Sequence, residues 1–109
     1  MAGAIARGDV RLYRLPRPDK QRPVVVLTRD SAIPYLATVT VAPITSAIRG
    51  VPSEVSLSEA DGMKAPCAVN LHNTITVPKA KLERRIASLT PERMREICGA
   101  LGFALGCSS

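Results

Sequence analysis

Apolar positions in the first two thirds of the chain come in short blocks, separated by clusters of Pro, Gly, Asp and Ser. Blocks of this length and spacing predict strands. Asp9 to Leu15 reads as a first strand. Arg11 and Arg14 fall on opposite faces of it, which predicts a position at a sheet edge or over a groove, with both cations in water. Val24, Val25, Val26 and Leu27 form an unbroken, mostly β-branched run, the pattern of a central strand buried on both faces. Between them, Leu15 to Pro23 contains three prolines, which lack ladder donors and hold the preceding residues extended. A stiff, cationic turn is expected there.

Ala37 to Ile44 alternates with period two, placing Val39 and Val41 on one face and Thr38 and Thr40 on the other, as in a half-buried strand. Thr45 to Pro52 reads as a second polar, basic loop, and Ser53 to Leu57 as the strand after it. Ser58 to Pro66 is a turn around Asp61-Gly62, followed by strands at Cys67 to Leu71 and Thr74 to Val77. The period then changes. Met94, Ile97, Cys98, Leu101 and Leu105 recur at helical spacing. Thr90 suits an N-cap, Pro91 the first helical position and Glu92 the positive end of the dipole, so a helix is expected from Pro91 to near Gly106. Gly99, Gly102 and Gly106 weaken it, each interior glycine by about 0.5 to 1 kcal/mol relative to Ala. Either another backbone packs closely against that face, or the glycines are simply tolerated or end the helix early.

At 109 residues the chain has the size of one domain, residues 1–109 with a core from about residue 8 to 106, too short for a second catalytic domain. Hydrophobic residues make up 46% but aromatics only 3%, so the core is aliphatic and a nucleic-acid surface built on aromatic platforms is disfavoured. The net charge of +6 favours polyanionic partners. Arg7, Arg11, Arg14, Arg17, Lys20 and Arg22 crowd the start of the chain against Asp9 and Asp19. Cys67, Cys98 and Cys107 are odd in number and unpaired in spacing, as expected of reduced thiols. No run approaches the roughly 18 apolar residues of a membrane span, which points to a cytoplasmic protein with no membrane partner.

With one histidine, His72, and no cluster at ligand spacing, a metal centre is disfavoured; no cofactor is implied, since Gly-rich phosphate cradles are absent. Two cationic, hydroxyl-bearing loops remain, Lys20 to Pro23 and Thr45 to Arg49. A guanidinium grips phosphate bidentately and a hydroxyl donates to a phosphate oxygen, so Arg22 and Thr45 are candidates for stabilising a phosphorane. A capped turn at Thr45 and an ion-paired or solvated Arg22 are the alternatives.

Gly8-Asp-Val10, Arg22-Pro-Val-Val-Val-Leu27, Val41-Ala-Pro-Ile-Thr45 with Arg49-Gly50, and Asn73-Thr-Ile-Thr-Val-Pro78 resemble, in order and spacing, the motifs of the MazF/PemK (Kid) toxin family, from about Gly8 to Leu105. The resemblance implies a mainly β protein with a C-terminal helix, a small SH3-like β-barrel of the PemK/CcdB kind, acting as a homodimer. It also implies a metal-independent, sequence-selective endoribonuclease of single-stranded RNA, inhibited by a cognate MazE-type antitoxin. The family's catalytic arginine falls on Arg22 and its catalytic threonine on Thr45. In such enzymes the 2′-hydroxyl of the RNA attacks the adjacent phosphorus, leaving a 2′,3′-cyclic phosphate and a 5′-hydroxyl. Arginine is too basic to act as a general base at neutral pH, which favours Arg22 as an electrostatic stabiliser. His72 is a candidate base by its ordinary pKa, although many relatives carry an acidic or another polar residue there. Lys20, Gln21, Ser46, Arg49, His72 and Asn73 are the expected RNA contacts.

The chain departs from the family in its first loop. Many members have a longer one with a Gly-Ser-Glu-Gln-like sequence before the Arg-Pro motif; here it is Pro16-Arg-Pro-Asp-Lys-Gln21, without the glutamate, which leaves the bases read and the RNA class open. A CcdB-like toxin that binds DNA gyrase, and an inactive RNA-binding relative, are alternatives on the same fold; a retained Arg22 and Thr45 argues against the first. An acidic, disordered antitoxin tail folding over the basic groove would gain steering from the positive charge.

Overall fold

The computed structural model describes residues 4–14 and 20–107. Seven strands form one curled antiparallel sheet: β1 (Asp9–Arg14), β2 (Gln21–Val26), β3 (Thr38–Thr45), β4 (Glu54–Leu57), β5 (Cys67–Asn70), β6 (Ile75–Pro78) and β7 (Arg85–Ser88). Their order is β4-β5-β3-β2-β1-β7, with β6 pairing the first half of β3. A C-terminal helix, α1 (Pro91–Leu105), follows. This is the expected mainly β architecture with a terminal helix.

The valine run behaves as its pattern predicts. Val24, Val25 and Val26 are fully buried between β1 and β3, and alternate side chains enter different cores. Val25 joins Val10, Ile44, Val69 and the helix residues Met94 and Ile97. Val24 and Val26 join Ile33, Val39, Val41 and Val77 on the other face. Val39 and Val41 do share a face, as the alternation predicts.

The first strand departs from expectation. It lies inside the sheet, and Arg11 is 5% exposed rather than wet. Asp9 and Arg11, two positions apart, point to the same face, and the Asp9 carboxylate accepts from Arg11 Nε at 3.1 Å and from the Ala6 amide at 3.1 Å. Arg11 also donates to the carbonyls of Glu83 at 3.1 Å and Ala4 at 3.4 Å. The charge is neutralised and the guanidinium is bound on several sides, so it can leave water. Arg14 is exposed, as expected. The edge position belongs to β7, a strand that the hydrophobic pattern does not reveal because its Arg-Ile-Ala-Ser sequence lacks an apolar run; pairing to β1 makes it a strand.

The expected turn over 15–23 is also revised. Residues 15–19 lie outside the described residues, but Gln21, Arg22 and Pro23 belong to β2. A residue before proline is held extended, which suits Arg22 to a strand, and the pairing with β3 begins one residue beyond Pro23, at Val24. The turn at 58–66 contains a 3₁₀ turn, Glu59–Asp61, closed by a capping box in which Ser58 and Asp61 bond each other's backbone amides. Gly62 ends it at φ 91°, and a Cβ there would come within 3.1 Å of the Ala87 methyl, so glycine lets this loop lie against β7. In α1, the Thr90 hydroxyl accepts from the Arg93 amide at 3.2 Å, as its expected N-cap role requires, and the helix ends at a left-handed Gly106, which caps it rather than weakening its interior. A Cβ at Gly99 would meet nothing within 4 Å, so the chain itself packs no backbone there.

Arg93 ties the helix to the 58–66 loop, donating to Asp61 at 2.9 and 3.3 Å. These bonds hold the Asp61 carboxyl below its usual range; burial opposes the shift, and the Ser58 amide adds to it. A lowered folded pKa stabilises above the unfolded value and is lost as pH falls through the folded one. Asp61→Asn should therefore cost about 1 to 2 kcal/mol at pH 7, with the gap to the parent narrowing below pH about 4 in urea titrations. Asp9→Asn should cost about 3 to 5 kcal/mol, because it leaves Arg11 buried without its counter-charge; a melting temperature within a degree or two of the parent's would contradict this.

Candidate active site

The sheet curls so that the start of β2 and the end of β3 meet. The paired positions run Val24 with Pro43, Val25 with Ala42 and Val26 with Val41; continued two residues, the same register sets Arg22 opposite Thr45. Both line a cavity of about 380 Å³, together with Pro23, Ser46 and the loop Met63–Cys67. Leu12, Ile44 and Ile86 give it an apolar floor.

Thr45 accepts the Ala47 amide on its hydroxyl oxygen at 3.1 Å. A hydroxyl retains its proton for donation when its oxygen accepts, so Thr45 can still donate into the cavity. On the next strand it faces Ala68, whose side chain is only a methyl. Arg22 is half-buried, and among the described residues its guanidinium makes no side-chain hydrogen bond or ion pair. A cation with no counter-ion among the described residues, lining an apolar-floored cavity with a hydroxyl donor, is suited to an anion. Cys67 adds a buried thiol; burial, reinforced by the Asp61 charge, pushes its pKa up, which keeps it protonated and a poor nucleophile.

The other expected contacts divide into two groups. Ser46 lines this cavity. Gln21 lines an adjoining one, where its amide donates to the Glu83 carboxylate, and the exposed Lys20 immediately precedes it. Arg49 lies in the exposed loop after β3, its amide and that of Gly50 each donating to Glu54 Oε1 at 3.0 Å. His72 and Asn73 are the exposed residues of a 3₁₀ turn, Leu71–Asn73, after the far end of β5, whose Leu71 is buried in the core. The His72 ring is hydrogen-bonded through Nε2 to the fully buried Ser53 hydroxyl, and its amide donates to Asn70 Oδ1 at 2.9 Å. Neither His72, Asn73 nor Arg49 lines the cavity holding Arg22 and Thr45. The sequence reading missed Lys64, Cys67, Arg84 and Arg85 as lining residues. The signal available for Lys64 was its place in a proline-bearing loop just before a strand, as for the other cationic loops. Among the described residues, no group of three or more His, Cys, Asp or Glu could hold a metal ion, and no helix is long and apolar enough to cross a membrane.

A curled antiparallel sheet with a C-terminal helix, and an arginine and a threonine brought to one cavity by the register of β2 and β3, define a small mainly β protein of the half-barrel kind. The chain belongs to the family of PemK-like, MazF-like toxins of type II toxin-antitoxin systems, whose model matches residues 6–105. It is 44% identical over 109 residues to the probable endoribonuclease MazF5 of Mycobacterium tuberculosis, covering 99% of each chain. Among solved structures it is similar to the Mycobacterium tuberculosis toxin MazF-mt6, with a TM-score of 0.82 and 37% identity over 90% of this chain and 96% of that one. It is also similar to a mycobacterial endoribonuclease in complex with its cognate antitoxin, with a TM-score of 0.87 and 26% identity over 97% and 99% of the two chains.

The thiols offer a check on this geometry. Cys98 and Cys107 are exposed and Cys67 is buried, so the folded protein should react rapidly with a disulfide reagent at two thiols and the unfolded protein at all three. Rapid reaction of Cys67 in the folded state would mean that this wall of the cavity is open.

Proposed function

We propose that the protein is a toxin endoribonuclease of the cytoplasm that cuts single-stranded RNA at selected sequences without a metal ion. The observation that carries this is the meeting of Arg22 and Thr45 at one cavity in a chain whose family and relatives are MazF-like. The 2′-hydroxyl oxygen of the RNA attacks the adjacent phosphorus, and the bond to the 5′-oxygen of the next nucleotide breaks. A 2′,3′-cyclic phosphate and a 5′-hydroxyl result. The phosphorane carries more negative charge than the diester, and Arg22 and Thr45 are donors aimed at that charge, in place before the reaction begins. Among the described residues the cavity is lined by cations, hydroxyls, apolar side chains and a protonated thiol, with no carboxylate or imidazole. Acceleration then comes from stabilising the phosphorane; the 2′-hydroxyl proton passes to water and the leaving 5′-oxygen takes a proton from water, while Arg22 keeps its own proton and its charge.

The active form is a homodimer, and a cognate MazE-type antitoxin with an acidic segment closes the site, drawn by the net charge of +6. RNA binding weakens with salt, since each phosphate contact releases counterions.

Purified protein incubated with a long RNA and excess EDTA should give discrete cuts with cyclic-phosphate ends. Arg22→Ala and Thr45→Ala should each lower the rate by about 100-fold or more, with melting temperatures near the parent's. Cleavage that needs a divalent ion, or that survives Arg22→Ala unchanged, would refute the mechanism. Binding to DNA gyrase without cleavage of RNA would instead favour the CcdB-like alternative.

A further inference from the structure

A second cavity, of about 460 Å³, adjoins the one holding Arg22 and Thr45 and has no part in the transesterification. The two share Leu12, Lys64 and Ile86, so a strand leaving the first cavity over that wall enters the second. Its rim is cationic, formed by Lys64, Arg84 and Arg85. Arg85 already has Asp9 at 3.9 Å. Glu83, the acidic group beside this rim, is engaged by the Gln21 amide. Lys64 and Arg84 are exposed, and among the described residues neither side chain has a hydrogen-bond or ion-pair partner.

Two like charges facing one cavity repel, and an anion between them turns that repulsion into attraction. The chemistry of the rim and of its neighbour suggests which anion. The first cavity suits a phosphodiester, and the second opens directly from it. None of Tyr13, Tyr35 and Phe103, the aromatic residues of the chain, lines either cavity. A strand here is therefore held by its phosphates rather than by stacked bases. Lysine suits the shared wall, because its charge sits on a flexible stem that serves either side.

Resting on the endoribonuclease reading above, we propose that Lys64 and Arg84 form a second phosphate subsite. One RNA strand is then held by two phosphodiesters at once, the scissile one at Arg22 and Thr45 and a flanking one at Lys64 and Arg84, with its sugar over Leu12 and Ile86. The flanking contact fixes the strand's direction across the site and requires a substrate longer than the dinucleotide being cut.

The test uses the full-length protein and an RNA carrying its mapped cleavage sequence, made with one flanking phosphodiester at a time replaced by an uncharged methylphosphonate. One flanking position should cost the parent protein about tenfold in kcat/KM, as expected for a charge-assisted contact. The double variant Lys64→Ala, Arg84→Ala should lose about as much on the all-phosphate RNA and nothing further at that position. Its binding should also show a log-log salt slope smaller by about 1, whereas Lys64→Arg, which keeps the charge, should leave the slope unchanged. Melting temperatures of the variants guard against loss of fold. A methylphosphonate penalty that persists in the double variant, or no sensitive flanking position in the parent, overturns the subsite while leaving the nuclease intact. Absence of cleavage of the unmodified RNA by the parent overturns the reading beneath it.

Discussion

The register of β2 is the constraint on which the site depends, and β2 does not set it alone. A one-residue slip normally exchanges buried for exposed side chains, but in Val24 to Val26 every side chain is a buried valine, so a slip costs little within this strand. The neighbours must fix it. On one side, β1 is pinned by the buried Asp9 and Arg11, whose bonds run to residues 4, 6 and 83 and admit one placement. On the other, β3 separates Val39 and Val41 from Ala42 and Ile44, which enter different cores. With both neighbours fixed, the start of β2 has one position, and Arg22 comes to lie beside Thr45.

The cations of the chain divide by what surrounds them. Arg11 is spent on structure, because a carboxylate shares its strand face. Arg93 is held between Asp61 and Glu96 and fastens the helix to the loop before β5. Arg7 caps the Leu27 carbonyl and lies 2.8 Å from the Cys98 sulfur. What is left without partners among the described residues includes Arg22, Lys64 and Arg84, and all three line the same pair of adjoining cavities. Other exposed cations, among them Arg29, Arg49, Lys81 and Arg95, lie away from these cavities; what distinguishes the three is that they share one pair of adjoining hollows, where like charges repel unless something negative lies between them.

The curl of the sheet, which brings its two ends near each other through a loop, explains how Lys64 arrives at that place. Its loop begins at β4, at one end of the sheet order, and leans on β7 at the other, with Gly62 permitting the contact against Ala87. The Asp61 to Arg93 bonds anchor the same loop from the helix side. A loop that reads in the sequence as a plain turn becomes one wall of both cavities. Its lysine carries no distinctive spacing, and the strand it leans on, β7, has too polar a sequence to announce itself.

The sequence by itself determined those elements whose partners are local or whose patterns are strong. The valine run, the alternation around Val39 and Val41, and a helix capped at its start by Thr90 all follow from periodicity and short-range hydrogen bonding. Arg22 and Thr45 were legible as candidates because their residue types suit phosphate chemistry and their motifs resemble a known family. The tertiary structure decided what depends on contacts between distant segments. It buried Arg11: the Asp9 counter-charge lies only two residues away, but the place of β1 inside the sheet and the bond to the Glu83 carbonyl, 72 residues on, come from distant segments. It made Arg85 to Ser88 a strand, since only pairing with β1 supplies the missing ladder. It placed His72 against Ser53 rather than at the cavity of Arg22, because the corner after β5 faces the base of another loop. Sequence pattern records which side chains avoid water and which bonds lie within a few residues; it holds no record of which charged groups the fold will bring together.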